Sequence, residues 1–174
     1  MNVPEQKEKA IDLRFAIKKN LNDEAKSLID LLGVDYYIER TGTALLVATL
    51  HNNTEIATYC IEKGADVNVT DPGKFTPLIY ASIAGNTGLA KLLLEKDADI
   101  HHQNKFEKSA ISKAVEDHPE NLELIELLLK HGGDPFVEEN YKRERRTTFT
   151  AYDYALKDIK NMDVVNLIDR YFKR

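Results

Sequence analysis

Residues 75–100 read FTPLIYASIAGNTGLAKLLLEKDADI. Thr76-Pro77-Leu78 opens a short apolar segment, which Gly85-Asn86 breaks. A second apolar segment follows from Leu89 and ends at Asp97-Ala98-Asp99. Apolar residues at i, i+3 and i+4 predict two short helices joined by a turn. Neither helix can bury its apolar face alone, so the pair needs copies of itself on either side.

Stepping by 33 residues finds those copies. Thr76 leads back to Thr43 and forward to Ser109, and Ala81 leads to Ala48 and Ala114. Asp99 leads back to Asp66, and Asp134 follows after 35 residues. Three anchors sharing one spacing define five units, at about residues 5–37, 38–70, 71–104, 105–140 and 141–174. Together they predict a single domain over residues 1–174.

A turn-helix-helix unit repeating at this period resembles the ankyrin repeat. The resemblance is carried by Thr76-Pro77-Leu78, by Gly85 with Leu92-Leu93-Leu94, by Gly64-Ala65-Asp66-Val67-Asn68 and by Gly132-Gly133-Asp134-Pro135. It implies an all-α solenoid with degenerate terminal caps. The chain departs from the family pattern at the histidine of its T-P-L-H motif, where it has Leu46, Ile79, Ser112 and Asp153. The first unit lacks the T-P-L opening, which suits a capping repeat. In that unit Asp23 is placed to cap the second helix and Gly33 to stop it. In the third, Asp97 replaces the usual Gly at a position suited to positive φ. In the fourth, Pro119 suits the first turn of the second helix. The fifth is preceded by six extra residues around Tyr141-Lys142-Arg143-Glu144-Arg145-Arg146, and two helices are expected after them, over residues 152–160 and 163–171.

Composition narrows the function. The 174 residues are 43% hydrophobic and 30% charged, with a net charge of -5, which gives no global attraction to nucleic acid or anionic membrane. Cys60 is the only cysteine, so an intramolecular disulfide and a thiolate metal cluster are both excluded, and a reducing compartment fits best. The first residues are polar with no apolar h-region, and no apolar run reaches the ~20 residues of a membrane helix. The expectation is a monomer in the cytoplasm.

No catalytic or cofactor motif stands out. His51, His101, His102, His118 and His131 lack an i, i+4 partner, and His101-His102 reads as an exposed turn pair. Cys60 aligns with Leu93 and Leu128, which are core positions, so it reads as a buried hydrophobe. Neither a G-x-S-x-G nor a phosphate-binding glycine loop is present. The chain reads as a non-enzyme that needs no metal or cofactor.

The resemblance implies that a protein partner binds the concave face, at the turn tips (fingers) and the ends of the first helices. The register maps these positions to Glu39, Arg40, Leu50 and His51 in unit two and to Pro72, Gly73, Phe75, Ile83 and Ala84 in unit three. In unit four they are Lys105, Phe106, Lys108, Glu116 and Asp117, and in unit five Arg146, Thr147, Phe149, Lys157 and Asp158. Lys18 and Lys19 extend the line into unit one. Aromatic anchors ringed by charge are the composition of binding hot spots. The alternative is that Phe75, Phe106 and Phe149 fold back onto neighbouring fingers. The basic run at residues 142–146 reads as a contact for an acidic protein or for nucleic acid phosphate, or, on a chain that is acidic overall, as a solvated loop. A stand-alone binding module of this kind suits a bacterial immunity protein that neutralises a cognate toxin, or an effector that grips a host protein. A regulatory subunit of an enzyme is the remaining form.

Overall fold

All the helices but the first are too short to be stable alone, since isolated helices below about 12–15 residues are marginal in water. Their stability comes from stacking. A computed structural model of the chain describes residues 2–39, 41–137, 139–140 and 148–172. Helix α1 (Val3–Lys18) pairs with α2 (Asn22–Leu32), α3 (Ala44–Leu50) with α4 (Thr54–Glu62), α5 (Pro77–Ile83) with α6 (Thr87–Leu94), and α7 (Ala110–Asp117) with α8 (Leu122–Lys130). The fifth pair is α9 (Ala151–Asp153), continued by a π-helical turn (Tyr154–Asp158), packed against α10 (Met162–Phe172). First helices contact first helices along the stack, and α2, α4, α6, α8 and α10 form a second row. The result is an all-α solenoid. Among the described residues one antiparallel ribbon is added to it, in which Glu139 pairs with Phe149 and Asn140 with Thr148.

The core runs through the stack without a break. Leu13, Leu45, Leu78 and Ile111 recur at one position of the first helices, and Ile29, Leu93 and Leu128 line the second row. Cys60 lies in that second row, fully buried, and burial pushes its thiol up to about 12. Such a thiol stays protonated and inert at neutral pH.

The units are tied to one another by asparagines. Asn53, Asn86, Asn121 and Asn161 each stand just before a second helix and accept a backbone N–H of its first turn, from Ile56, Leu89, Leu124 and Val164. Each amide nitrogen also reaches back one unit. Asn53 donates to the Ile17 carbonyl (3.1 Å), Asn86 to Thr54 Oγ1 (2.8 Å), Asn121 to the Gly85 carbonyl (3.0 Å) and Asn161 to the Pro119 carbonyl (3.1 Å). One side chain thus satisfies a helix end and fixes the neighbouring turn.

Three local expectations need correcting. Asp23 does not cap α2. The helix starts one residue earlier, at Asn22, with Leu21 in the cap position and no side-chain cap, and Asp23 sits in its first turn. Pro119 lies outside α8, in the interhelical turn, because Asn121 takes the cap. The first helix of the fifth unit is not a plain α-helix. Its π-helical turn absorbs one residue, so the Asn161 N–H reaches back six residues to Ala155, where Asn86 reaches back five to Ala81. Asp97 does adopt positive φ, at 61°, and Gly33 lies at 97°.

Candidate interaction surface

Each finger is built by its own short turn. In residues 71–75 the Asp71 carboxylate accepts from the N–H groups of Gly73 (2.7 Å) and Phe75 (2.9 Å) and from the Tyr80 hydroxyl (2.7 Å). Burial and the Asp71 hydrogen bond raise the Tyr80 pKa, so the phenol stays a donor. In residues 104–108, 33 positions on, Asn104 Oδ1 accepts from Phe106 (2.8 Å) and Lys108 (3.2 Å). The two fingers touch, with the Lys105 N–H donating to the Gly73 carbonyl at 3.0 Å.

The aromatic line divides. Phe75 is half-buried, stacked on Tyr80 at 5.2 Å and met edge-on by Phe106 at 6.1 Å. Phe106 is 56% exposed, with the Lys105 ammonium 5.1 Å from its ring centre. Phe75 therefore supports Phe106, and Phe106 faces solvent. Leu50, at the end of α3, is 48% exposed, and Ile83, at the end of α5, is half-buried. The Ile83 carbonyl accepts from His118 Nε2 at 2.9 Å. Pro72 is exposed, while Gly73 is buried beneath the Phe75 ring.

The charged positions differ in how they are engaged. Lys108 pairs with Glu116, and Lys113 bridges Glu116 (3.1 Å) and Asp117 (2.9 Å), with the side chains of Lys108, Lys113 and Glu116 largely buried. Burial disfavours the Lys113 charge, but Asp117 and Glu116 override it and hold its pKa above the ordinary value. Lys157 pairs with Asp153 at 2.5 Å, and Asp158 is exposed. Glu39 pairs with Lys7 at 2.8 Å. His51 is exposed, and its pKa is lowered by partial burial and by the nearby cations Lys18 and Arg14. Arg40, Arg146, Thr147 and the basic run at 142–146 lie outside the described residues, as does the side chain of Phe149.

Two clusters were not legible as sites from the sequence. One is a cleft of about 370 Å³ between α1 and residues 36–39, lined by Lys7, Ala10, Ile11, Arg14, Tyr36, Tyr37, Ile38 and Glu39. Its signal was present as Lys7, Ile11, Arg14 and Lys18, which fall on one stripe of a helix. The other is an aromatic cluster at the far end, where Phe136 packs on Tyr152 and Phe172 at 5.1 Å each. Among the described residues no group of His, Cys, Asp and Glu could hold a metal ion, and no helix is long and apolar enough to cross a membrane.

A face of finger tips and helix ends, carrying exposed apolar groups among ion pairs, is suited to contact with another surface. No curated protein matches the chain. Residues 13–104, however, match the family model of ankyrin repeats in three copies, and the same helix pairing continues through α7, α8 and α10. The chain belongs to the ankyrin-repeat family, whose members generally serve as protein–protein interaction modules and are typically non-catalytic.

Proposed function

We propose that the chain is a binding module that holds one protein partner on the concave face, without chemistry of its own. The five units over residues 1–174 act as one domain in this reading, which takes the chain as a cytoplasmic monomer that does not engage nucleic acid. The observation that carries it is Phe106. This large apolar ring stands 56% exposed at a finger tip, backed by Phe75 and Tyr80 and flanked by Lys105. A rigidly supported aromatic ring beside a cation is the composition of a binding hot spot. Leu50 extends the apolar line along the helix ends. Lys108, Glu116 and Asp117 serve as a pre-paired polar rim in the same reading, and Lys157 extends that rim.

The immunity protein, the effector and the regulatory subunit are three uses of this one module. They differ in partner, and the genomic neighbourhood separates them, because a toxin domain in the adjacent reading frame selects the first.

The test is the double variant Phe106→Ala with Leu50→Ala. Both side chains are exposed, so the melting temperature should stay close to wild type. Affinity for a partner captured by the wild-type chain should fall more than about tenfold. Unchanged affinity would overturn the reading. Phe75→Ala is the wrong probe on its own, because it removes a ring packed against the core and lowers stability as well.

A further inference from the structure

Among the described residues, most cations along the interaction face already have partners within the chain, with Lys74 at the tip of the 71–75 finger an exception. Lys108 and Lys113 are held by Glu116 and Asp117, Lys157 by Asp153, Lys105 lies over Phe106 and Lys19 over Phe15. Arg14 and Lys18 differ. Each is exposed, and neither side chain makes a hydrogen bond or an ion pair among the described residues. They stand one turn apart on α1, and Arg14 lines the cleft closed on its other side by Tyr36, Tyr37, Ile38 and Glu39. The same two cations disfavour the charge on His51, the residue that follows α3.

The floor of this cleft is apolar. Ile11 is 63% exposed and Tyr37 54%, with Ala10 and Ile38 buried beneath them. Ile11 holds the position that is Thr43, Thr76 and Ser109 in the next three units. Those residues end a finger and start a short helix, whereas α1 runs on for two further turns in front of Ile11. The extension lies alongside residues 36–39 and is pinned there by Lys7 and Glu39. An apolar trough edged by uncompensated positive charge, in a chain of net charge -5, is complementary to a ligand that carries negative charge around an apolar group.

We infer that this cleft takes an acidic segment of the partner protein, with an apolar side chain seated on Ile11 and Tyr37 and carboxylates on Arg14 and Lys18. The inference rests on the concave-face reading and adds the partner's chemistry to it. A nucleic acid fits less well, because two uncompensated cations beside Glu39 do not make the extended basic footprint that a phosphate backbone requires.

The probe is a fluorescein-labelled peptide of glutamates flanking one tryptophan, followed by anisotropy with the full chain. It should bind, and it should bind more weakly as salt rises, since exposed charge pairs are screened. The double variant Arg14→Glu with Lys18→Glu should weaken it by more than about tenfold, and Arg14→Gln with Lys18→Gln by less, both with unchanged melting. A version with lysines in place of glutamates should not bind, and a version with serine in place of tryptophan should bind several-fold more weakly. No binding of the acidic peptide overturns the inference. So does equal binding of the lysine version, indifference to both double variants, or preferential binding of a labelled single-stranded DNA oligonucleotide. If Phe106→Ala with Leu50→Ala releases the natural partner while Arg14→Glu with Lys18→Glu does not, this inference falls and the concave-face reading stands. If neither releases it, the concave-face reading falls too.

Discussion

The turn at residues 38–42 and the finger at 71–75 occupy the same place in successive units and close the same way. The Ile38 N–H donates to the Gly42 carbonyl at 2.7 Å, and the Asp71 N–H to the Phe75 carbonyl at 3.2 Å. Their side chains then do opposite things. Asp71 ties its own loop from inside and leaves Phe75 stacked on Tyr80 as a platform for Phe106. Ile38 is buried in the core and offers no acceptor, so its carbonyl takes the turn instead, from the N–H of Gly42 and from the hydroxyl of Thr41. Gly42 stands where Phe75 stands, at φ 91°, and a side chain there would run into Leu46. One finger is self-supporting and carries an aromatic platform. The other leans on α1, and the cleft lies along that contact. The scaffold keeps the backbone closure and spends the side chains on two kinds of surface.

Breaking the leaning turn should have the larger effect. Ile38→Ala empties a buried site, and such truncations cost about 2–5 kcal/mol, toward the low end here because the adjoining cleft allows collapse. Urea unfolding measures it, and a loss below about 1 kcal/mol would show that Ile38 does not anchor the turn. Asp71→Ala removes one carboxylate that serves three donors, and should cost about 2 kcal/mol because Gly73 and Phe75 lose their acceptor in a half-buried loop. The near-ultraviolet signal of the Phe75–Tyr80 stack should fall with it. If that signal survives, packing rather than Asp71 holds the stack.

The smallest effect sharpens the comparison by making one finger more like the other. Asn104 holds the place of Asp71, but its buried Nδ2 has no hydrogen-bond partner among the described residues. Asn104→Asp keeps the acceptor for Phe106 and Lys108 and deletes the idle donor, with Lys113 standing where Tyr80 stands. At neutral pH it should change stability by less than about 1 kcal/mol, since the idle donor is exchanged for a buried carboxylate oxygen and Lys113 is already held by Glu116 and Asp117. A larger loss would show that the buried carboxylate goes uncompensated.

The far units show why some features were readable and others were not. Asn53, Asn86, Asn121 and Asn161 could have been found as a column, but the intervals between them are 33, 35 and 40 residues. Insertions at His118-Pro119 and before Thr150 hid the last two from a fixed step. The π-helical turn added one more residue that no apolar spacing reports. Phe136, which holds the place of Asn68 and His101, found partners in Tyr152 and Phe172 that only the closing of the fifth unit supplies.

The sequence by itself determined the period, the pairing of short helices and the buried character of residues such as Cys60. Those depend on local spacing and on apolar faces that can be buried in only one way. Only the tertiary structure decided that Phe75 is a support while Phe106 is exposed, and that Lys108, Lys113, Glu116 and Asp117 satisfy one another. It also decided that Arg14 and Lys18 are left beside an apolar cleft. Those outcomes depend on which side chains from different units come within a few ångströms, and the repeat register fixes the backbone position of a residue without fixing its neighbours.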